Sequence, residues 1–212
     1  RMSKDILLIG GGGHCSSVID VIEQEGSFRV RGILDVAEKV GQQRMGYKIV
    51  GTEAELPNLL KETPYCLITI GQVGSAQLRS RLYHQLKAAG AQLPVIVSPT
   101  AYVSSHARLG EGTVVMHQAC INAGAVIGVN NIINSQALVE HEAHTGAHCH
   151  LSTAAILNGA CVLGDEVLIG SRSTLRQEVK IADRILVGMG SVVLQDLSEP
   201  GIYAGVPARK IK

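Results

Sequence analysis

An aliphatic residue recurs at every sixth position between Val103 and Val193, and Thr145 alone interrupts the series. A period of six matches neither the 3.6-residue turn of an α-helix nor the alternation of a strand. It is typical of a solenoid in which each hexapeptide forms one short strand and one turn. Three hexads make a triangular coil of about 18 residues, so this segment predicts about five coils of a parallel β-helix.

The composition fits the narrow interior of such a prism. The chain has no Trp and one Phe, while 46% of its residues are hydrophobic. Compact residues such as Ala119, Ala137 and Ala155 follow four positions after many aliphatic ones, and we expect them to let the chain bend at the corners. Since the repeating aliphatic residues form the core, functional residues should be those that depart from the pattern.

The hexads begin only after residues 98–102, which predicts two domains, at residues 1–98 and 99–212. In the first domain, a buried strand at residues 5–9 runs into the glycines of 10–13, a helix follows from Ser16, and a second strand ends at Asp35. This order is typical of a small Rossmann-like domain. Such glycines let a ligand approach the backbone, and a helix start binds diphosphates, although a tight structural turn would explain them as well.

A third strand, at residues 65–70, leads into Gly71. The loops that follow parallel strands meet at one edge of the sheet, so Gly10–His14, Asp35 and Gly71 should gather there and bind any ligand. About 98 residues leave little room for a full dinucleotide-binding fold, so we do not expect a dehydrogenase.

Charge and cysteine content exclude several classes of protein. The formal net charge is +1, from 19 basic and 18 acidic residues without long runs, which does not favour nucleic acid or a membrane surface as a partner. We find neither a membrane-spanning apolar run nor a signal-peptide pattern, and expect a cytoplasmic protein. The five cysteines match no zinc spacing, so we expect reduced packing residues and no metal.

The polar anomaly of the solenoid lies at residues 134–150 and holds four of the eight histidines. A neutral histidine accepts a proton from a nucleophile, and a neighbouring carboxylate stabilises the resulting cation. His141 beside Glu142, or less favourably Glu140, fits this chemistry. Gly159 follows His141 by three hexads and should lie one coil away at the same corner, where its amide could donate to a developing oxyanion.

Two other interpretations apply to the histidines. Histidines on solenoid turns often have no function, which we expect above all for His106, His117 and His148. Histidines from neighbouring coils also bind metal in some β-helices, but a zinc site needs three converging ligands.

At these residues the chain resembles the NeuD-type sugar O- and N-acyltransferases, which include the N-acetyltransferases of bacillosamine and perosamine. The matching segments are residues 9–14, 33–35, 70–71, 133–142, 150–152, 158–159 and 204–211. The resemblance implies a left-handed parallel β-helix, a homotrimer with active sites between subunits, and acetyl-CoA as co-substrate. Several 4-amino-sugar enzymes carry Asn-Asn where this chain has Gln72-Val73.

The resemblance also implies roles for individual residues. His141 would be the general base, Glu142 its carboxylate partner, and Asn134 a contact of the acceptor sugar. The remaining implied residues line binding sites: Gly13, His14, Asp35 and Gly71 for the nucleotide sugar; His150 and Gly159 for the thioester; and Gly170, Gly188, Gly205 and Pro207 for the rest of acetyl-CoA.

We therefore expect an acetyltransferase that acts on the 4-amine of a nucleotide-linked 4-amino-4,6-dideoxy sugar for surface glycans. Acetylation of a sialic acid hydroxyl is the alternative within the same class. A metal-dependent hydratase of the carbonic anhydrase type would leave the glycine loop unexplained. A nucleotidyltransferase would need a larger first domain.

Overall fold

The computed structural model describes residues 3–212 and begins with an α/β domain. Its sheet has the order β3-β4-β2-β1-β5, in which β1, β2, β4 and β5 are parallel and β3 is antiparallel. The elements are β1 (Lys4–Ile9), α1 (Gly13–Glu25), β2 (Phe28–Leu34), β3 (Gln43–Arg44), β4 (Tyr47–Gly51), α2 (Leu56–Leu59), β5 (Tyr65–Ile68) and α3 (Gln77–Ala88), with 3-10 turns at Ala37–Lys39 and Glu53–Glu55. The Rossmann-like prediction is confirmed for this region.

The rest of the chain forms a left-handed β-helix with three faces of parallel strands. Face 1 contains β6 (Ile96–Val97), β9 (Val114–Val115), β12 (Ile132–Ile133), β15 (His150–Leu151), β18 (Leu168–Ile169), β21 (Ile185–Val187), β23 (Gly201–Gly205) and the antiparallel β24 (Ala208–Lys210). Face 2 contains β7 (Tyr102–Val103), β10 (Cys120–Ile121), β13 (Leu138–Val139), β16 (Ile156–Leu157), β19 (Thr174–Leu175) and β22 (Val192–Val193). Face 3 contains β8 (Arg108–Leu109), β11 (Val126–Ile127), β14 (His144–Thr145), β17 (Val162–Leu163) and β20 (Lys180–Ile181).

The hexad residues point into the prism, and their register follows the expected coil. Ile121 pairs with Val139, which pairs with Leu157, so partners in adjacent coils are three hexads apart. All hexad residues from Val115 onward are buried. The exception, Thr145, is explained by Asn131, whose side-chain amide donates to the Thr145 hydroxyl at 2.7 Å inside the helix.

The chain turns at positions other than those expected. From Gly112 to Gly190, each third residue after a hexad position has a left-handed φ, between 53° at Asn130 and 76° at Gly124. The compact residues one position later, such as Ala119 and Ala137, are instead buried in the core. Their role is therefore to fit inside the corner, while the preceding residue makes the bend.

The α/β domain packs against face 1. Residues of α1, including Val18 and Ile19, share a buried cluster with the outward side chains of Ile96, Val114 and Ile132. β6 already pairs with β9, so the first strand of the β-helix precedes position 98, where the hexads placed the domain boundary. Within residues 3–212, no helix combines the length and apolar character needed to span a membrane.

Face 2 carries an outward stripe of apolar and small side chains that the described chain leaves partly uncovered. Its members are Tyr102, Cys120, Leu138, Ile156, Thr174 and Val192, one from each strand. Tyr102 is 59% exposed and the others are half-buried. This stripe contrasts with the covered outward residues of face 1.

Candidate active site

A cleft of about 800 Å³ separates the edge of the α/β sheet from the β-helix. The expected residues Gly13, His14, Asp35, Gly71, Asn134 and His150 all line it. The first four come from the start of α1 and from the loops after β2 and β5, which meet because β1, β2 and β5 are parallel and end at the same edge. The remaining two belong to face 1 and to the corner that follows it.

Asp35 organises the glycine loop. Its carboxylate accepts hydrogen bonds from the amides of Gly11 at 2.7 Å and Val36 at 2.8 Å, and Lys39 lies 3.0 Å away. Burial opposes ionisation, but these hydrogen bonds and the Lys39 charge hold the pKa of Asp35 below its usual value. A second cleft, of about 400 Å³, borders Asp35; its walls are mostly apolar, and Glu38, Glu53 and Arg81 also line it.

α1 begins beside this carboxylate with free donor groups. Its N-cap residue, Gly12, has no side chain that could cap the helix, and the first turn contains no acidic residue. A β-carbon at Gly12 or Gly13 would meet no atom within 4 Å, so the loop borders open space. An anionic group in the cleft would therefore find unpaired N–H donors at a helix N-terminus.

Two histidines line the cleft in neutral form, the half-buried His14 and the buried His150. Burial, assisted by nearby His150 and Arg79, lowers the pKa of His14 to about 3. Burial likewise lowers the pKa of His150 to about 4, although its hydrogen bond to the Gln72 carbonyl opposes the shift. The His14 Nε2 atom is buried and has no partner within the described residues.

His148 and His117 are not free surface side chains, because both contact other parts of the chain. His148 is buried, with its Nδ1 2.9 Å from the Asn130 side-chain nitrogen. His117 connects the domains, since its Nε2 lies 2.8 Å from Asp20 and its Nδ1 lies 2.7 Å from Ser98. His106 is exposed. The interdomain contacts that bury His148 are not visible in the hexad pattern.

Arg79 is a buried residue that the repeats and motifs do not identify. It is 2% exposed and sits in α3, between the α/β domain and the β-helix. One face of α3 is buried and consists of Arg79, Leu82, Tyr83 and Leu86. The helical spacing of Arg79 from the three apolar residues is the sequence pattern that indicates its burial.

His141 and Glu142 occupy the corner between faces 2 and 3, as a pair. His141 Nδ1 lies 3.5 Å from the Glu142 carboxylate, and 64% and 73% of these side chains are exposed in the single chain. Glu140 contacts the backbone of His141 instead, accepting its N–H at 3.3 Å and the side-chain amide of Asn122 at 2.9 Å. The geometry therefore distinguishes Glu142, beside the ring, from Glu140.

Gly159 lies directly against the His141 ring, one coil on. A β-carbon on Gly159 would be 2.6 Å from Cε1 and Nε2 of His141. The amide of Ala160 donates to the His141 carbonyl at 2.9 Å, whereas the amide of Gly159 donates to no acceptor within the described chain. The imidazole thus packs against a glycine whose N–H has no acceptor in the described chain, which leaves that N–H free to donate to an oxyanion.

One chain does not bring all candidate residues together. None of His141, Glu142 and Gly159 lines the cleft that contains Asn134 and His150. The first group lies at the corner between faces 2 and 3, and the second lies on face 1 and its corner with face 2.

The other glycines proposed for acetyl-CoA have structural reasons to be glycine. A β-carbon on Gly170 would lie 2.5 Å from the Met189 amide of the next coil, and one on Gly188 would lie 3.1 Å from the Ala204 side chain. Gly205 has a φ of 106° at the end of β23, and Pro207 lies in the turn to β24. Their cofactor contacts stay predictions. Among residues 3–212, no three His, Cys, Asp or Glu side chains are grouped as metal ligands.

Comparison with known proteins agrees with this geometry. A family profile described as the PglD N-terminal domain matches residues 5–86. The chain is 33% identical to a perosamine N-acetyltransferase from Caulobacter crescentus, solved as a His-to-Asn variant with CoA and GDP-perosamine; the match covers 100% of this chain and 98% of that one, with a TM-score of 0.92. The acetyltransferase domain of PglB from Neisseria gonorrhoeae FA1090, solved with acetyl coenzyme A, is 29% identical, with 99% and 100% coverage and a TM-score of 0.92.

A curated relative, the UDP-N-acetylbacillosamine N-acetyltransferase of Bacillus subtilis (strain 168), is 30% identical over 113 residues. That match spans 53% of this chain and about half, 51%, of the relative. Fold and site together define a hexapeptide-repeat acyltransferase with an appended α/β domain. The chain belongs to the NeuD-type family of sugar acyltransferases.

Proposed function

We propose that this protein transfers the acetyl group of acetyl-CoA to the 4-amine of a nucleotide-linked 4-amino-4,6-dideoxy sugar. The observation that carries the proposal is the His141 imidazole, paired with Glu142 and placed over the unpaired amide of Gly159. Family relatives that bind CoA together with GDP-perosamine support this substrate class.

In this mechanism the neutral amine attacks the thioester carbonyl while His141 accepts the proton that the nitrogen loses. Glu142 stabilises the imidazolium, and the Gly159 amide donates to the oxyanion of the tetrahedral intermediate. When the intermediate collapses, the carbon–sulfur bond breaks, and the leaving sulfur takes the proton from the His141 imidazolium, so that CoA leaves as its thiol. No covalent acyl-enzyme forms, and the core cysteines Cys149 and Cys161 are buried.

The nucleotide sugar binds in the cleft of the α/β domain. The amides at the start of α1 bind its diphosphate, and the mostly apolar cleft beside Asp35 accepts the nucleoside. Gly13, His14 and Gly71 line the path from there toward Asn134.

The active enzyme is a homotrimer in which the corner of one subunit faces the cleft of the next. Three features support this arrangement: one chain separates His141 from Asn134, the His141–Glu142 pair is exposed, and the apolar stripe of face 2 is partly uncovered. Acetyl-CoA would lie between subunits, and the enzyme would work in the cytoplasm.

Purified protein should be tested with acetyl-CoA and a panel of UDP- and GDP-linked 4-amino-4,6-dideoxy sugars and free N-acetylneuraminic acid, with products identified by mass spectrometry. We expect an amide product from an amino sugar, and at least about 100-fold slower turnover by folded His141→Ala. An ester of sialic acid as the sole product would replace this proposal with O-acetylation.

A further inference from the structure

A buried cation lies beneath the cleft without a carboxylate partner. The Arg79 guanidinium donates to the Gln72 side-chain oxygen at 2.8 Å, to the His148 carbonyl at 3.2 Å and to the Asn130 carbonyl. Within residues 3–212, no Asp or Glu forms an ion pair with it. Burial lowers the pKa of Arg79 to about 10, so the group stays charged at neutral pH. Gln72 is therefore held by a charge-assisted hydrogen bond.

The backbone carbonyl of Gln72, held in place in this way, contacts the ring of His150. Its carbonyl oxygen lies 2.9 Å from His150 Nδ1, and both residues are buried. A carbonyl oxygen only accepts hydrogen bonds, so Nδ1 must carry the proton. In a neutral imidazole the other nitrogen, Nε2, is then an acceptor.

His150 in turn orients Asn134. The Asn134 side-chain nitrogen lies 3.2 Å from His150 Nε2, and its oxygen accepts the Ser135 amide at 2.8 Å. Because the bare Nε2 accepts from the NH2 group, the Asn134 amide has one defined orientation. One N–H and one oxygen lone pair of Asn134 stay available, and Asn134 lines the cleft.

We propose that Arg79, Gln72 and His150 are positioning residues that fix the Asn134 amide for hydrogen bonding to the acceptor sugar. His150 is held as its Nδ1–H tautomer and does not donate from Nε2 to the thioester oxygen. The identity of the sugar rests on the proposed function. The His150 tautomer does not, and neither does the chain of contacts from Arg79 through Gln72 and His150 to Asn134, which we call the relay.

Nuclear magnetic resonance of protein labelled with ¹⁵N-histidine tests the His150 tautomer at neutral pH. Long-range ¹H–¹⁵N spectra distinguish a protonated ring nitrogen from a bare one, and the His150 signals are assigned by their loss in His150→Gln. We expect the Nδ1–H tautomer in the wild type and in Gln72→Glu, which retains an acceptor for Arg79. Gln72→Met should give mixed tautomers, whereas Gln77→Met, at an exposed glutamine of the neighbouring helix start, should match the wild type. An Nε2–H tautomer in the wild type would overturn the inference, even if turnover is normal.

Steady-state kinetics test whether the relay positions Asn134 for the acceptor sugar. Gln72→Met should raise KM for the nucleotide sugar about tenfold, the scale of one lost buried hydrogen bond, and leave KM for acetyl-CoA unchanged. Gln72→Glu should restore it. Asn134→Ala and His150→Leu should each raise the same KM, and the double variant should be no worse than the poorer single one. Additive effects, or a larger change for acetyl-CoA, would reject the relay. Absence of turnover with every amino sugar would refute the proposed function and leave the tautomer result standing.

Discussion

Adding one methyl group at Gly159 should disable the enzyme without unfolding it. The β-carbon of Gly159→Ala would lie 2.6 Å from Cε1 and Nε2 of His141. Since ordinary carbon contacts are about 3.5–4.0 Å, the ring must retreat by about 1 Å. A displacement of that size at a reacting group costs about 100-fold in rate, so we expect kcat to fall by about that factor.

The fold should tolerate the change. Gly159 does not have a left-handed φ, and Ala123 occupies the same position one coil before His141. The His141 side chain is 64% exposed and has room to move. The free energy of unfolding should therefore change by only about 0.5 kcal/mol, measured by urea denaturation followed by circular dichroism.

Two comparisons make the test specific. Gly74→Ala adds a methyl group where no atom lies within 4 Å, also without a left-handed φ, and should leave kcat unchanged. In a His141→Ala background the clash is absent, so Gly159→Ala should cause little further loss. If Gly159→Ala retains kcat within about threefold of wild type, the close packing of ring and glycine is not required for catalysis.

Three further outcomes follow from side-chain contacts. Glu142→Gln should lower kcat about tenfold or more by removing the charge beside the His141 ring. Glu140→Gln should lower kcat less, because its side-chain oxygen still accepts the backbone N–H of His141. Equal losses would contradict the assignment of Glu142, and not Glu140, as the partner of the ring. Arg79→Met should lower stability to urea by about 1–3 kcal/mol because buried acceptors lose their donor, whereas the exposed Arg81→Met should change it by less than about 1 kcal/mol. Burial lowers the pKa of His148 to about 4, and the unfolded side chain titrates near about 6.5. The unfolded state therefore binds more protons between these values, and the melting temperature should fall as pH decreases through this window, less steeply in His148→Gln; identical slopes would refute the assignment.

The β-helix could be predicted because its repeat places one residue class in one environment. Every sixth side chain faces the axis, so the aliphatic series alone fixes the three faces and the coil register. The corner conformation could not be predicted in the same way. Gln118, Glu142 and Arg172 all adopt a left-handed φ, although none of these residue types prefers it, because closure of each coil imposes the bend.

The candidate site could be predicted where a general rule brings residues together: the shared edge of parallel strands for Gly13, Asp35 and Gly71, and the coil repeat for the catalytic corner. The second rule applies to His141, Glu142 and Gly159, and the structure places them together. The relay through Arg79 and Gln72 depends on how α3 docks against the β-helix, which no local pattern specifies. The sequence also did not predict the antiparallel pair of β3 and β4, because these short strands lack a run of buried apolar residues.

The coil register also limits which changes of chain length the enzyme can accept. One extra hexapeptide between His141 and Gly159 would rotate every later strand by one face and carry Gly159 to another corner. A whole extra coil there would restore the faces but put a new residue beneath the imidazole. The same coil inserted after Gly159 would leave the pair in contact and lengthen the prism, so the imidazole keeps its glycine only when the solenoid grows outside residues 141–159.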